Sequence, residues 1–202
     1  MLIFSVIIHE ISHGYVAERL GDPTARNAGR LTLNPMKHLD PMGSFIVPLG
    51  LFLLTRGAFV FGWAKPVPYN PAMLKDRRWG AAKIAAAGPV SNFLIAIVFG
   101  LLLRGATALD SIELIPLSLL FALIIYLNIL LAIFNLVPIP PLDGSKVLFA
   151  LLPPTESNFR LMGFLNRYGF FVLLLFIFFG FSLIIPIIDS LFFLIAGQPF
   201  GI

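Results

Sequence analysis

Four apolar runs decide most of what this chain can become: residues 1–20, 82–103, 114–137 and 169–188. Each is about 20 residues long, the length of helix that crosses the hydrocarbon core of a bilayer. Of the 202 residues, 58% are hydrophobic and 12% charged, with a mean hydropathy of +0.95. A soluble domain of that composition would present contiguous apolar surface to water. The expectation is an all-α polytopic membrane protein, a single membrane-embedded domain over residues 1–202 with about four transmembrane helices in the lipid bilayer. The first run lacks a basic leading segment and a small-residue cleavage site, so it is not expected to be a removable signal peptide. A last apolar stretch, 191–196, is too short to cross alone.

The connections between the runs differ in character. Residues 24–41 are polar and turn-rich, and GRLTLNP within them reads as a short strand. GWAKPVPYNP has proline spacing that favours extended backbone. Together these two segments predict a small β element. Residues 43–62 (GSFIVPLGLFLLTRGAFVFG) are apolar but broken by Pro48, Gly50, Arg56 and Gly57.

Charge assigns a direction. From Arg19 to Arg78 lie Arg19, Arg26, Arg30, Lys37, Arg56, Lys65, Lys75, Arg77 and Arg78, and Lys146, Arg160 and Arg167 follow residue 137. The 105–113 link has no Lys or Arg, only Asp110 and Glu113. The positive-inside rule puts the basic regions in the cytoplasm and the link outside. Residues 43–62 have basic flanks on both sides, so they are expected to be re-entrant or membrane-embedded rather than a full span. The net charge is only +4 and sits in loops. It speaks to topology, and no nucleic-acid partner is expected.

Polar groups inside such runs carry the functional signal, because ionisable side chains at membrane depth are costly. The first run contains HEISH. His9 and His13, four apart, project from one face of a helix about one turn apart. Two imidazoles at that spacing can hold one Zn²⁺, with Glu10 beside them as a general base on a bound water. The chain has no cysteine, so any metal is held by His, Asp or Glu. A catalytic zinc usually takes three protein ligands. Asp143 is the better third candidate: Pro138, Pro140 and Pro141 deny regular helix to the stretch before it, and Gly144 permits a tight turn. Taken alone, Asp143 reads more readily as a turn residue or helix N-cap before SKVLFALL.

HEISH in a first apolar helix, AGPVSN opening the next, and NLVPIPPLDG later resemble the site-2 protease family of intramembrane zinc metalloproteases. LGDPTA, GRLTLNP and GWAKPVPYNP extend the resemblance over nearly the whole chain. The resemblance implies that His9, His13 and Asp143 bind one zinc ion, that Glu10 is the catalytic base, and that Asn135 holds the substrate backbone. It also implies an active site toward the cytoplasm in a bacterial or archaeal cell membrane. The substrate would be a membrane-spanning helix of another protein. The 105–113 link is too short for the PDZ domain that some members carry, and the sequence does not specify an oligomeric state.

Asn128 and Asn135 are seven apart, so they share a face of one apolar helix, and such a face should point into a bundle. Interhelical hydrogen bonding is the expected role for Asn128, and a substrate or oxyanion contact for Asn135. Asn92, after the small residues 85–88, is a second candidate for the substrate site. His38 and Asp40 are expected to be loop hydrogen-bonding residues. Two rival functions fit less well. An inactive metal-binding scaffold has no need of Glu10, and a metal-ion transporter calls for ligand sets along a path rather than one compact set.

Overall fold

A computed structural model of the chain describes residues 2–58, 60, 62–109 and 114–200. Helix α1 (Leu2–Arg19) is followed by a one-turn helix α2 (Thr24–Asn27) and the short α3 (Val47–Leu54). Then come α4 (Arg77–Ala108), α5 (Ile115–Leu136), α6 (Asp143–Leu151), α7 (Glu156–Leu175) and α8 (Ile185–Ala196). Three helical stretches among the described residues are long and apolar enough to cross a membrane: Arg77–Ala108, Ile115–Leu136 and Glu156–Leu183. Helix α1 has 18 residues, but Glu10, Glu18 and Arg19 set it apart in composition. Asp110 and Glu113 of the 105–113 link lie outside the described residues.

Helix α4 is the hub, packed against α1, α5, α6 and α8. Asp76 starts it by accepting from the amides of Arg78 and Trp79, both at 3.0 Å. The largest apolar core joins Ala96 and Leu103 of α4, Ile125 and Ile129 of α5, and Ile188 and Phe192 of α8. The outer faces are apolar as well. Phe171 and Phe179, in the third long stretch, are 65% and 79% exposed, an arrangement suited to lipid.

Three expectations change. First, no strand forms among the described residues. Pro66 and Pro68 supply no amide, the Lys65 amide goes to the His38 carbonyl (2.9 Å), and the Val67 amide goes to a side chain, so no ladder can repeat. Second, the last long helix begins at Glu156, not 169, because Thr155 caps it and its polar first turns continue directly into the apolar part. It closes through a π turn (Phe176–Gly180) and a 3₁₀ turn (Phe181–Leu183), and Pro186, lacking an amide, sits in the first turn of a separate helix α8. The apolar tail is thus part of a 12-residue helix. Third, three stretches rather than about four qualify as spans among the described residues, because Glu10, Glu18 and Arg19 interrupt the apolar character of α1. The ends of the 43–62 segment meet, in keeping with the expectation that it is not a full span. The Trp63 amide donates to the Gly43 carbonyl at 3.0 Å, and Ser44 Oγ donates to the Trp63 carbonyl at 3.1 Å. A π turn (Pro41–Ile46) runs directly into α3, and the joint helix Pro41–Leu54 is still shorter than the roughly 20 residues a crossing needs.

Candidate metal centre

Helix α1 presents His9 and His13 on the face that meets α4. Their rings lie edge to face with centroids 4.7 Å apart. This approach depends on Gly88. A Cβ there would lie 2.5 Å from His9 Cε1 and Nε2 and 2.6 Å from His13 Cε1. The small residue in AGPVSN therefore makes room for both imidazoles as well as for helix packing.

Asp143 reaches the histidines from the other end of the chain. After α5 stops at Leu136, three prolines leave few amides to satisfy. The Ile139 and Leu142 amides close short turns onto the carbonyls of Val137 and Ile139. Helix α6 then starts at Asp143, doubled back against the end of α5. A Cβ on Gly144 would fall 2.1 Å from the Leu136 carbonyl oxygen. Gly144 is thus required for close backbone approach rather than for an unusual turn conformation. The result brings Asp143 Oδ2 to 3.2 Å from His9 Nε2 and 3.1 Å from His13 Nε2. Its other oxygen, Oδ1, faces Lys146 Nζ at 3.4 Å.

The opposite nitrogen of each imidazole is engaged. His13 Nδ1 donates to the Ile84 carbonyl at 2.6 Å, and His9 Nδ1 lies 2.6 Å from Asn92 Oδ1. A histidine that donates through Nδ1 presents an Nε2 lone pair. Two such lone pairs and a carboxylate oxygen meeting at one point repel each other unless a cation lies among them. The donor set therefore fits a divalent metal with His₂Asp ligation. Glu10 adjoins it: one ligand atom each from His9, Glu10 and His13 all lie within 4.8 Å of one another. Glu10 Oε2 accepts from the Val67 amide at 2.8 Å.

Among the sequence-predicted residues, the structure thus brings His9, Glu10, His13 and Asp143 together. Asn92 is wholly buried, with its carboxamide on His9 and on Asn128 Oδ1 (3.0 Å), so it backs a histidine instead of facing a substrate. Asn135, half-buried at the end of α5, donates one amide hydrogen to the Leu131 carbonyl at 2.9 Å. His38 Nε2 donates to the Thr32 carbonyl at 2.8 Å, and Asp40 caps the Gly43 amide at 2.7 Å, away from the centre. Val67, the Ile84 carbonyl and Lys146 escaped the sequence reading as parts of the site, and Gly88 was read there only as one of the small residues 85–88. AGPVSN pointed to the right stretch for Gly88, while a backbone carbonyl such as that of Ile84 leaves no trace in residue type.

The family model described as peptidase family M50 matches residues 1–113 and 106–176. YwhC of Bacillus subtilis, provisionally named a zinc metalloprotease, is 41% identical over 177 residues, covering 86% of this chain and 76% of YwhC. Rip2 of Mycolicibacterium smegmatis, named in the same way, is 30% identical over 176 residues, 84% of this chain and 62% of Rip2. The zinc metalloprotease MJ0392 of Methanocaldococcus jannaschii is 28% identical over 152 residues, 75% of this chain and 33% of that protein. No solved structure matches the chain. The relatives' names imply Zn²⁺, and His9, Glu10 and His13 form a cluster that could hold such an ion. With the extent of the family match and the identity to YwhC, the chain belongs to peptidase family M50, a family of zinc metalloproteases.

Proposed function

We propose that this protein is an intramembrane zinc endopeptidase of the site-2 protease type, cutting peptide bonds in or near membrane-spanning segments of other proteins. One observation carries the reading: His9 Nε2, His13 Nε2 and Asp143 Oδ2 converge beside Glu10, on a chain whose long helices are lipid-compatible. Bound zinc would acidify a water and polarise the scissile carbonyl. Glu10 takes the proton of the attacking water and passes it to the leaving amide nitrogen. The Val67 amide keeps one Glu10 oxygen occupied and so aims the other. Asn135 offers its second amide hydrogen to the substrate backbone.

A helix in lipid satisfies its own peptide groups and must unwind before attack. Substrates are therefore membrane-spanning segments that contain helix-weakening residues. The charge distribution favours an active site toward the cytoplasm, with residues 43–62 dipping into the membrane and returning, as the Gly43–Trp63 hydrogen bond allows.

The test is cleavage of a membrane-spanning substrate by full-length protein in detergent, wild type against Glu10→Gln. The expected loss is about 10²–10⁴-fold, with zinc content unchanged. Wild-type cleavage by Glu10→Gln would rule the mechanism out. Zinc binding without cleavage across a broad substrate panel would instead favour an inactive scaffold.

A further inference from the structure

Behind His9 runs a buried chain of side-chain hydrogen bonds through three helices. His9 Nδ1 meets Asn92 Oδ1 of α4 at 2.6 Å, and Asn92 Nδ2 meets Asn128 Oδ1 of α5 at 3.0 Å. Asn128 Nδ2 then meets Ser5 Oγ of α1 at 3.0 Å and the Ile124 carbonyl at 2.8 Å. Exposure along it is 5%, 0%, 0% and 7% for His9, Asn92, Asn128 and Ser5. No partner from solvent competes at the two asparagines.

The direction of this chain follows from one group. A backbone carbonyl only accepts, so the Ile124 oxygen requires the NH₂ end of Asn128 to face it. Asn128 then turns its oxygen to Asn92. Asn92 must offer its NH₂ to Asn128, and so offers its oxygen to His9. An oxygen there requires a hydrogen on His9 Nδ1, which leaves the lone pair on Nε2, the atom 3.2 Å from Asp143. His13 obtains the same tautomer in a single step, from the Ile84 carbonyl.

We infer that Asn128 is a positioning residue for the zinc centre: anchored by the Ile124 carbonyl, it sets the orientation of Asn92 and thereby the metal-binding tautomer of His9. Asn128 hydrogen-bonds to Asn92, Ser5 and the Ile124 carbonyl, and to none of His9, His13 and Asp143. Its role is distinct from simple helix adhesion, because adhesion is indifferent to which way the amide points. The inference rests on His9 being a metal ligand, as the proposed function has it.

The test is ¹⁵N NMR of the imidazoles in full-length, metal-stripped protein in detergent, at a pH well above the ordinary imidazole range. The chain has only three histidines, and His13 is the internal control. In the wild type both His9 and His13 should carry hydrogen on Nδ1. In Asn128→Leu, His9 should become a tautomer mixture while His13 stays unchanged. Zinc affinity, read by chelator competition, should fall about 10–100-fold. Ser5→Ala should leave the His9 tautomer in place, because Ile124 still anchors Asn128.

The inference is overturned if His9 carries hydrogen on Nε2 in the wild type. It is also overturned if Asn128→Leu leaves the His9 tautomer unchanged, or moves His13 equally. Should Asn128→Leu fail to fold, Asn128→Ala, which removes the carboxamide without adding bulk, is read in its place with the same expected and overturning outcomes. Failure of the underlying reading looks different: His9→Ala would then bind zinc as tightly as wild type, whatever the tautomers.

Discussion

The amide of Val67 donates a 2.8 Å hydrogen bond to Glu10 Oε2 across 57 residues of sequence. Pro66 and Pro68 flank it, so Val67 carries the one amide hydrogen in that tripeptide, and it goes to the proposed base. Two variants separate the amide from the side chain. Val67→Pro removes the hydrogen and should lower kcat about tenfold or more, the scale of a hydrogen bond to a charged group. Val67→Ala keeps it and should lower kcat far less. Zinc content should stay at wild-type level in both, and steady-state cleavage kinetics with metal analysis check the pair.

Asp143→Ala should leave zinc substoichiometric after dialysis against a chelator, because two histidines remain where three ligands converged. Lys146→Met frees Asp143 Oδ1 from its 3.4 Å neighbour and should change zinc affinity much less than the loss of Asp143. Metal content at matched chelator concentrations tests both, and equal occupancy in wild type and Asp143→Ala would remove Asp143 from the ligand set.

Gly88→Ala places a methyl group 2.5 Å from His9 Cε1 and Nε2. Overpacking of this kind costs about 1–3 kcal/mol, and here it falls on both rings. Zinc affinity should drop by about tenfold or more at constant helix content. Gly163→Ala, with nothing within 4 Å of the added carbon, is the matched control and should behave as wild type. Chelator competition on the two variants gives the comparison.

Asp22 supplies a pH dependence away from the metal. Burial would raise its carboxyl, but the Thr24 hydroxyl and the amides of Asn70 and Thr24 outweigh that and hold it below the usual carboxylate range. A carboxyl depressed in the folded state stabilises fully above its unfolded value of about 3.9. That stabilisation is lost as pH falls through the folded value. Asp22→Asn puts an NH₂ group among these donors and should cost about 2 kcal/mol near neutral pH. The gap to wild type should narrow as the medium is acidified. Thermal melts in detergent across that range check it, and a gap that stayed constant to low pH would contradict the assignment.

HEISH stood out as a candidate half-site because its residue types are expensive in an apolar run, whereas Asp143 read alone as a turn residue or N-cap and was singled out by the resemblance. The long helices were legible through sustained hydropathy, whereas their ends were not. Residues 156–168 are polar enough to read as a connection, yet Thr155 and Glu156 begin a helix there. The strand reading of AKPVPY failed for a local reason. Proline spacing favours extended backbone, but the same prolines remove the donors a sheet needs, and the amides left over went to Glu10 and His38. Asn92 was placed near the centre by its motif, while its partner was fixed by packing between α1 and α4 that no single segment encodes.

The proposed third ligand comes 130 residues after His13, beyond both α4 and α5. During synthesis the ribosome therefore delivers the two histidines and the base early and the carboxylate late. A nascent chain that has not yet reached Asp143 holds a pair of imidazoles with nothing to complete them. On the proposed ligation the site is completed only when α6 doubles back on α5, so its two halves are made in the order of translation.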